Sequence, residues 1–77
     1  MMKLYLGSYF AFFTPDSRHW VELEIPHPTR LTDILSELGV PAAEVHLVVV
    51  NDQALETTDT LVSNHDTVRL YPPTNGG

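Results

Sequence analysis

The residues of this 77-residue chain best suited to chemistry are its last six, Pro72-Pro73-Thr74-Asn75-Gly76-Gly77. Two successive prolines cannot donate to a sheet ladder and bias the backbone toward extended polyproline geometry, so they lead the chain away from whatever strand precedes them. Six extended residues reach about 20 Å, enough to enter a partner's active site while the body stays outside. Gly76 and Gly77 carry no side chain, so they fit a narrow channel and let partner backbone approach closely. The group then presented is the Gly77 carboxylate. A carboxylate is a poor electrophile and needs activation: ATP converts it to an acyl-adenylate, which a sulfur nucleophile attacks to give a thiocarboxylate or thioester. Such a carrier needs no catalytic residues of its own, because its two partner enzymes supply them. Thr-Asn-Gly-Gly also reads as a plain disordered polar end. The prolines before it, and the body that they leave, favour the functional reading.

Other chemistry finds little support in the residues. His19, His27, His46 and His65 fall in different segments, no two at helical spacing and with no cysteine nearby, so no metal site is expected. Glu22 and Glu24 share a strand face and Asp33 and Glu37 a helix face, which is the pattern of solvated surfaces more than of general acid–base pairs. No glycine-rich loop is present to cradle a phosphate. No permanently bound cofactor is expected; ATP would be used by an activating partner.

Composition narrows the class. Ten Asp and Glu oppose four Lys and Arg, a formal net charge of -6. Lys3, Arg18, Arg30 and Arg69 are scattered along the chain, which argues against nucleic acid as a partner and for basic protein surfaces. A chain this small has one core, and with no cysteine it has no disulfide to reinforce it, so a reducing cytoplasm is the expected location. Lys3 followed by the mostly apolar run Leu4 to Phe13 has the outline of a secretory leader, but it ends in Thr14-Pro15-Asp16 without a small-residue cleavage site, and a first strand is the better reading. No stretch approaches the length of a membrane span.

The elements follow from period. Residues 20 to 25 alternate, Val21, Leu23 and Ile25 against Trp20, Glu22 and Glu24, as a half-buried strand does. Pro15-Asp16-Ser17 has the turn chemistry to join strands one and two as a hairpin. Leu31, Ile34, Leu35 and Leu38 form one helical stripe, with Thr29 as the expected N-cap, Gly39 as a left-handed C-cap and Pro41 blocking continuation. Val45 to Val50 is an apolar run broken only by His46, the pattern of an interior strand covered on both faces. One helix covers only one face of a sheet. Either Val48 and Val50 are shielded by neighbouring side chains, or the open face docks another protein. Gln53 to Leu55 suits a short edge strand, and residues 67 to 71 a last strand with Val68 and Leu70 inward, Arg69 and Tyr71 outward. The expected architecture is α+β: a β-grasp of ubiquitin-like type, a mixed four- to five-stranded sheet with one main helix on one face. It occupies residues 1–71, with 72–77 as a flexible tail.

The chain resembles the small sulfur carriers of the molybdopterin synthase small-subunit and thiamine sulfur-carrier superfamily (MoaD/ThiS type). The resemblance rests on Leu38-Gly39-Val40-Pro41, Leu47-Val48-Val49-Val50-Asn51, Asp66-Thr67-Val68-Arg69-Leu70-Tyr71 and, most specifically, the Pro72-Pro73-x-x-Gly76-Gly77 ending. It implies that Gly77 is adenylated by an E1-like enzyme and becomes the thiocarboxylate. Pro72, Pro73, Thr74, Asn75 and Gly76 would thread the partner's channel, and Val48, Arg69 and Tyr71 would lie on a docking face beside the tail. It further implies an acceptor such as a molybdopterin synthase large subunit. The tail is similar to the molybdopterin branch, which is favoured. The short Val40 to Val45 connection is closer to the thiamine branch. Asn51-Asp52 and His65-Asp66 stand where the family often has Asn-Gly and Gly-Asp, and Asn51 and Asn64 both tolerate a left-handed conformation. A ubiquitin-like modifier joined through Gly77 to a lysine, and a plain interaction domain with an inert tail, are the alternatives.

Overall fold

A computed structural model describes residues 1–73. Five strands form one mixed sheet: β1 (Met2–Leu6), β2 (Trp20–Leu23), β4 (Leu47–Val50), β5 (Gln53–Leu55) and β7 (Thr67–Tyr71). Two further strands, β3 (Thr29–Arg30) and β6 (Leu61–Val62), pair with each other, and the helix α1 (Leu31–Leu38) follows β3 directly. The order across the sheet is β2-β1-β7-β4-β5. β1 and β7 run parallel, and every other neighbouring pair is antiparallel. This is the α+β, β-grasp arrangement that the sequence predicts, five-stranded, with one helix on one face.

Period 2 decides what each strand buries. Met2, Leu4 and Leu6 of β1, Val68 and Leu70 of β7 and Val48 of β4 turn inward and meet Leu31, Ile34 and Leu35 of α1. Each of those three helical side chains contributes about 1.5 to 3 kcal/mol of burial. Leu38 completes the stripe half-buried. The helix ends as its sequence dictates: Gly39 has φ 78°, its N–H reaches the Ser36 carbonyl at 3.2 Å, and the Val40 N–H reaches that of Leu35 at 2.9 Å. These two bonds are the paired closure of a Schellman motif.

Three local expectations are corrected. Thr29 is not the N-cap; it lies in β3 opposite Val62, Arg30 takes the cap position, and the Leu31 N–H is satisfied at 2.8 Å by the Thr60 carbonyl. A tertiary carbonyl therefore does the work expected of a local hydroxyl. The first strand stops at Leu6, and Ser8–Phe13 coils into a 3-10 helix that buries Phe10 and Ala11. A strand covered on one face would bury only one of these two neighbours, whereas a tight helical turn buries both. The apolar run after Val45 does not have both faces covered, since Val48 is buried by the helix while Leu47 and Val49 stay half-buried on the open side.

The turns are set by polar clasps. Asn51 and Asp52 both have positive φ, 49° and 70°, which is the backbone of a two-residue hairpin matched to strand twist. Asn64 has no such conformation; its side-chain carbonyl instead accepts the Ile25 N–H at 2.9 Å. The Asn51 side chain donates to Asp66 at 2.8 Å and accepts from the Thr67 N–H at 2.9 Å, while the other Asp66 oxygen takes the Ser63 N–H at 2.7 Å. The hairpin β4–β5 and the turn into β7 are thereby tied together.

Gly7 passes so close to β7 that an added Cβ would lie 2.7 Å from the Leu70 carbonyl oxygen and 3.0 Å from the Tyr71 ring. Gly7→Ala should lose about 1 to 3 kcal/mol in urea titration, the usual cost of overpacking, and an unchanged midpoint would contradict the close approach. For Asp66, partial desolvation raises the pKa, but hydrogen bonds from Ser63 and Asn51 and the nearby His65 charge outweigh it, leaving the carboxyl below its ordinary 3.8. A depressed folded-state value means that its stabilisation is full above 3.8 and is lost as pH falls through the lower, folded value. Asp66→Asn should flatten that acid limb of a pH-dependent melting curve, and an equally steep limb would assign it to other carboxyls.

Candidate functional site: the open sheet face and the chain exit

The site is built on β7. This strand is the centre of the sheet, lying between β1 and β4 and hydrogen-bonded along both edges. The Gly7 N–H holds the Leu70 carbonyl at 2.9 Å, and the His46 N–H holds that of Tyr71 at 2.9 Å. Pro72 is buried and Pro73 exposed. The chain thus leaves between two fixed points, one ahead of the first 3-10 helix and one just after the second (Ala42–Glu44). Thr74, Asn75, Gly76 and Gly77, to which the sequence assigns the threading and acylation roles, lie outside the described residues.

The face turned away from α1 is aromatic. Tyr5 is opposite both Trp20 and Arg69 in the ladder, and Arg69 is opposite Val49. Ring centroids of Tyr5 and Trp20 are 5.0 Å apart, those of Tyr5 and Tyr71 5.8 Å, and the Arg69 guanidinium sits 5.8 Å from the centroid of the Trp20 ring. His19 stacks on Tyr5 at 5.7 Å and bonds the Leu6 carbonyl through Nδ1 at 2.7 Å. Tyr5, Trp20, Arg69 and Tyr71 line a shallow hollow of about 270 Å³. Trp20 remains 46% exposed although its ring is in contact with two neighbours. Stacked aromatics and a cation over a ring are the side chains that carry binding energy at protein interfaces. A larger open groove, about 840 Å³, runs along the free edge of β2 past Lys3, Arg18 and Leu38. Its charged lining is Lys3, Asp16, Arg18 and Glu22, whereas the smaller hollow gathers stacked aromatics and Arg69 beside the end of β7, which makes it the better candidate site.

Of the residues expected to dock a partner, Arg69 and Tyr71 are here and Val48 is not. Val48 is 1% exposed and packs beneath the helix; its neighbours Leu47 and Val49 are the ones on the open face. The error is one of parity, because an unbroken valine run carries no alternation to show which residues face out. Tyr5, Trp20 and His19 were not singled out from sequence. Their signal was present in the alternation of β2, which turns Trp20 outward, and in β1, where Tyr5 falls between the inward Leu4 and Leu6. Among the described residues no group of three or more His, Asp and Glu side chains could hold a metal ion, and no helix is long and apolar enough to cross a membrane.

A helix-covered mixed sheet with parallel first and last strands defines a ubiquitin-like β-grasp domain. The family model described as Mut7-C ubiquitin matches residues 7–76, and the chain belongs to that family. This supports the ubiquitin-like part of the resemblance noted above, not specifically the sulfur carriers. Searches of curated proteins and of solved structures return no significant match.

If the aromatic face serves partners and not the fold, Trp20→Ser should cost only about 0.5 to 1.5 kcal/mol, the worth of an aromatic pair. Truncation of the buried Leu35 to Ala should cost about 2 to 5 kcal/mol. Urea unfolding followed by circular dichroism compares the two, and a Trp20 loss equal to that of Leu35 would make the face structural.

Proposed function

We propose that this domain is a sulfur carrier: an activating enzyme grips the body through the aromatic face and draws the chain end into its active site, where the Gly77 carboxyl is loaded with sulfur. The observation that carries the reading is the placement of the chain exit. β7 is fixed on both edges, contributes Arg69 and Tyr71 to the face, and ends at Tyr71, so a partner seated on the face has the departing chain beside it. The body supplies recognition and the tail supplies the reacting group.

The chemistry belongs to the partner and balances without a redox step. A Gly77 carboxylate oxygen attacks the α-phosphorus of ATP, pyrophosphate leaves, and the mixed anhydride makes the carbonyl carbon electrophilic. Hydrosulfide adds to that carbon, AMP departs with the bridging oxygen, and the thiocarboxylate remains. An acceptor enzyme, such as a molybdopterin synthase large subunit or its thiamine-pathway counterpart, then takes the sulfur. The double-proline ending favours the molybdopterin branch. If a lysine amine attacks in place of hydrosulfide, the product is an isopeptide, and the domain is a ubiquitin-like modifier.

A second reading, that of a binding module with an inert tail, is favoured by the exposure of Trp20 alone, since an aromatic face can bind a protein without any acyl transfer.

The test starts from the native protein, whose C-terminal mass must show a free Gly77 carboxylate. Incubation with the E1-like adenylating enzyme of the same cell, ATP and hydrosulfide should replace one oxygen by sulfur in the intact mass. Deletion of Gly76 and Gly77 should abolish this without changing the melting temperature. Higher-mass lysine conjugates would favour the modifier. Neither product, with partner binding unaffected by the deletion, would leave only the binding module.

A further inference from the structure

The geometry points to Phe12 as a second anchor: it inserts into an apolar pocket of the enzyme that activates the tail, next to a basic group of that enzyme facing Glu44. This rests on the carrier reading and adds a contact outside the sheet face.

Because β1 and β7 run parallel with Leu6 opposite Leu70, the 3-10 helix Ser8–Phe13 that follows β1 sits at the end of the sheet where the chain departs. Residues three apart eclipse in a 3-10 helix, so Phe10 and Phe13 share one side and Tyr9 and Phe12 another. Phe10 is fully buried and Phe13 packs on it at 6.4 Å between centroids. The Tyr9 hydroxyl donates to Glu44 Oε1 at 3.1 Å, joining the two 3-10 helices; two residues on, the His46 N–H holds the Tyr71 carbonyl. The side carrying Tyr9 and Phe12 therefore belongs to the frame from which Pro72 emerges. Phe12 is 76% exposed, the most exposed large apolar side chain in the described residues. A phenylalanine this exposed, on a short helical turn whose Phe10 is anchored in the core, offers a ready side chain for a partner's pocket.

Position and charge identify the occupant. Any enzyme that takes residues 74–77 must abut the frame that they leave. Glu44 beside Tyr9, on a chain of net charge -6, calls for a basic rim on the opposing surface.

Pyrophosphate exchange catalysed by the E1-like adenylating enzyme of the same cell tests this with the full chain as substrate. Phe12→Ser should raise the KM for the domain about tenfold or more at unchanged kcat, as loss of an interface anchor does, while Phe12→Leu should recover most of it. Glu44→Gln should raise KM less and reduce its salt dependence. Melting temperatures should stay at the wild-type value, because neither side chain is buried. A Phe12→Ser KM within about twofold of wild type would overturn the proposal, being under 1 kcal/mol. So would sedimentation showing a wild-type dimer that Phe12→Ser dissociates, which assigns Phe12 to self-association. A wild-type domain that supports no exchange at all would remove the carrier reading, and this proposal with it.

Discussion

The structure depends on the two-sided pairing of β7. Its parallel ladder to β1 and antiparallel ladder to β4 are what join the N-terminal hairpin to the C-terminal half of the sheet, and its inward Val68 and Leu70 lie fully buried under the helix. A parallel pair cannot be closed by a tight turn; it needs a crossover, and here the crossover contains α1 and every other strand of the fold. Closing that long loop costs entropy that only the assembled core offsets. The strand that completes the fold is therefore also the one from which the chain departs, and the body cannot loosen at its exit without opening the centre of the sheet.

That constraint divides the sheet into two faces with different duties. One α-helix of eight residues covers the inner face, and the described residues form no second α-helix. The outer face is partly self-covered by contact among Tyr5, Trp20, Tyr71, His19 and Arg69. Rings whose edges and faces touch one another shed some water without being buried, and they remain available to a partner that removes the rest. A small domain can in this way keep an exposed aromatic face at little cost to its own stability.

Legibility in the sequence tracked how local each determinant is. Gly39 with Val40 and Pro41, the alternation of Val21 and Leu23, and the inward Val68 and Leu70 are decided within a few residues, and each reads correctly from the chain. Thr29 had the residue type of a cap but lost the position to strand pairing with Val62, a partner more than thirty residues away in sequence. Ser8–Phe13 looked like more strand because apolarity alone does not distinguish a strand from a tight helical turn. Within the site, Arg69 and Tyr71 were legible through the clean alternation of β7. Val48 was misplaced because Leu47 to Val50 is apolar throughout, so its parity is fixed only by register with Leu70 and Leu55. The C-terminal four residues carry the strongest sequence motif and lie outside the described residues, so the role proposed for them rests on their chemistry.

Charge assigns steering and gripping to different surfaces. Along the five strands, the open face carries Lys3 and Arg69 against Glu22, two cations to one carboxylate, on a chain whose net charge is -6. The acidity must therefore reside elsewhere, on Asp33 and Glu37 of the helix and on the turns. A whole-body negative field favours approach to basic surfaces over a distance comparable to the Debye length, about 8 to 10 Å in physiological salt. On the proposed reading, contact falls to the aromatic face, which carries little net charge and would bind by burial and stacking. On the proposed carrier reading, salt would slow arrival more than it would hasten departure, and this separation would let one small body serve an activating enzyme and an acceptor that share basic surroundings but need not share a pocket.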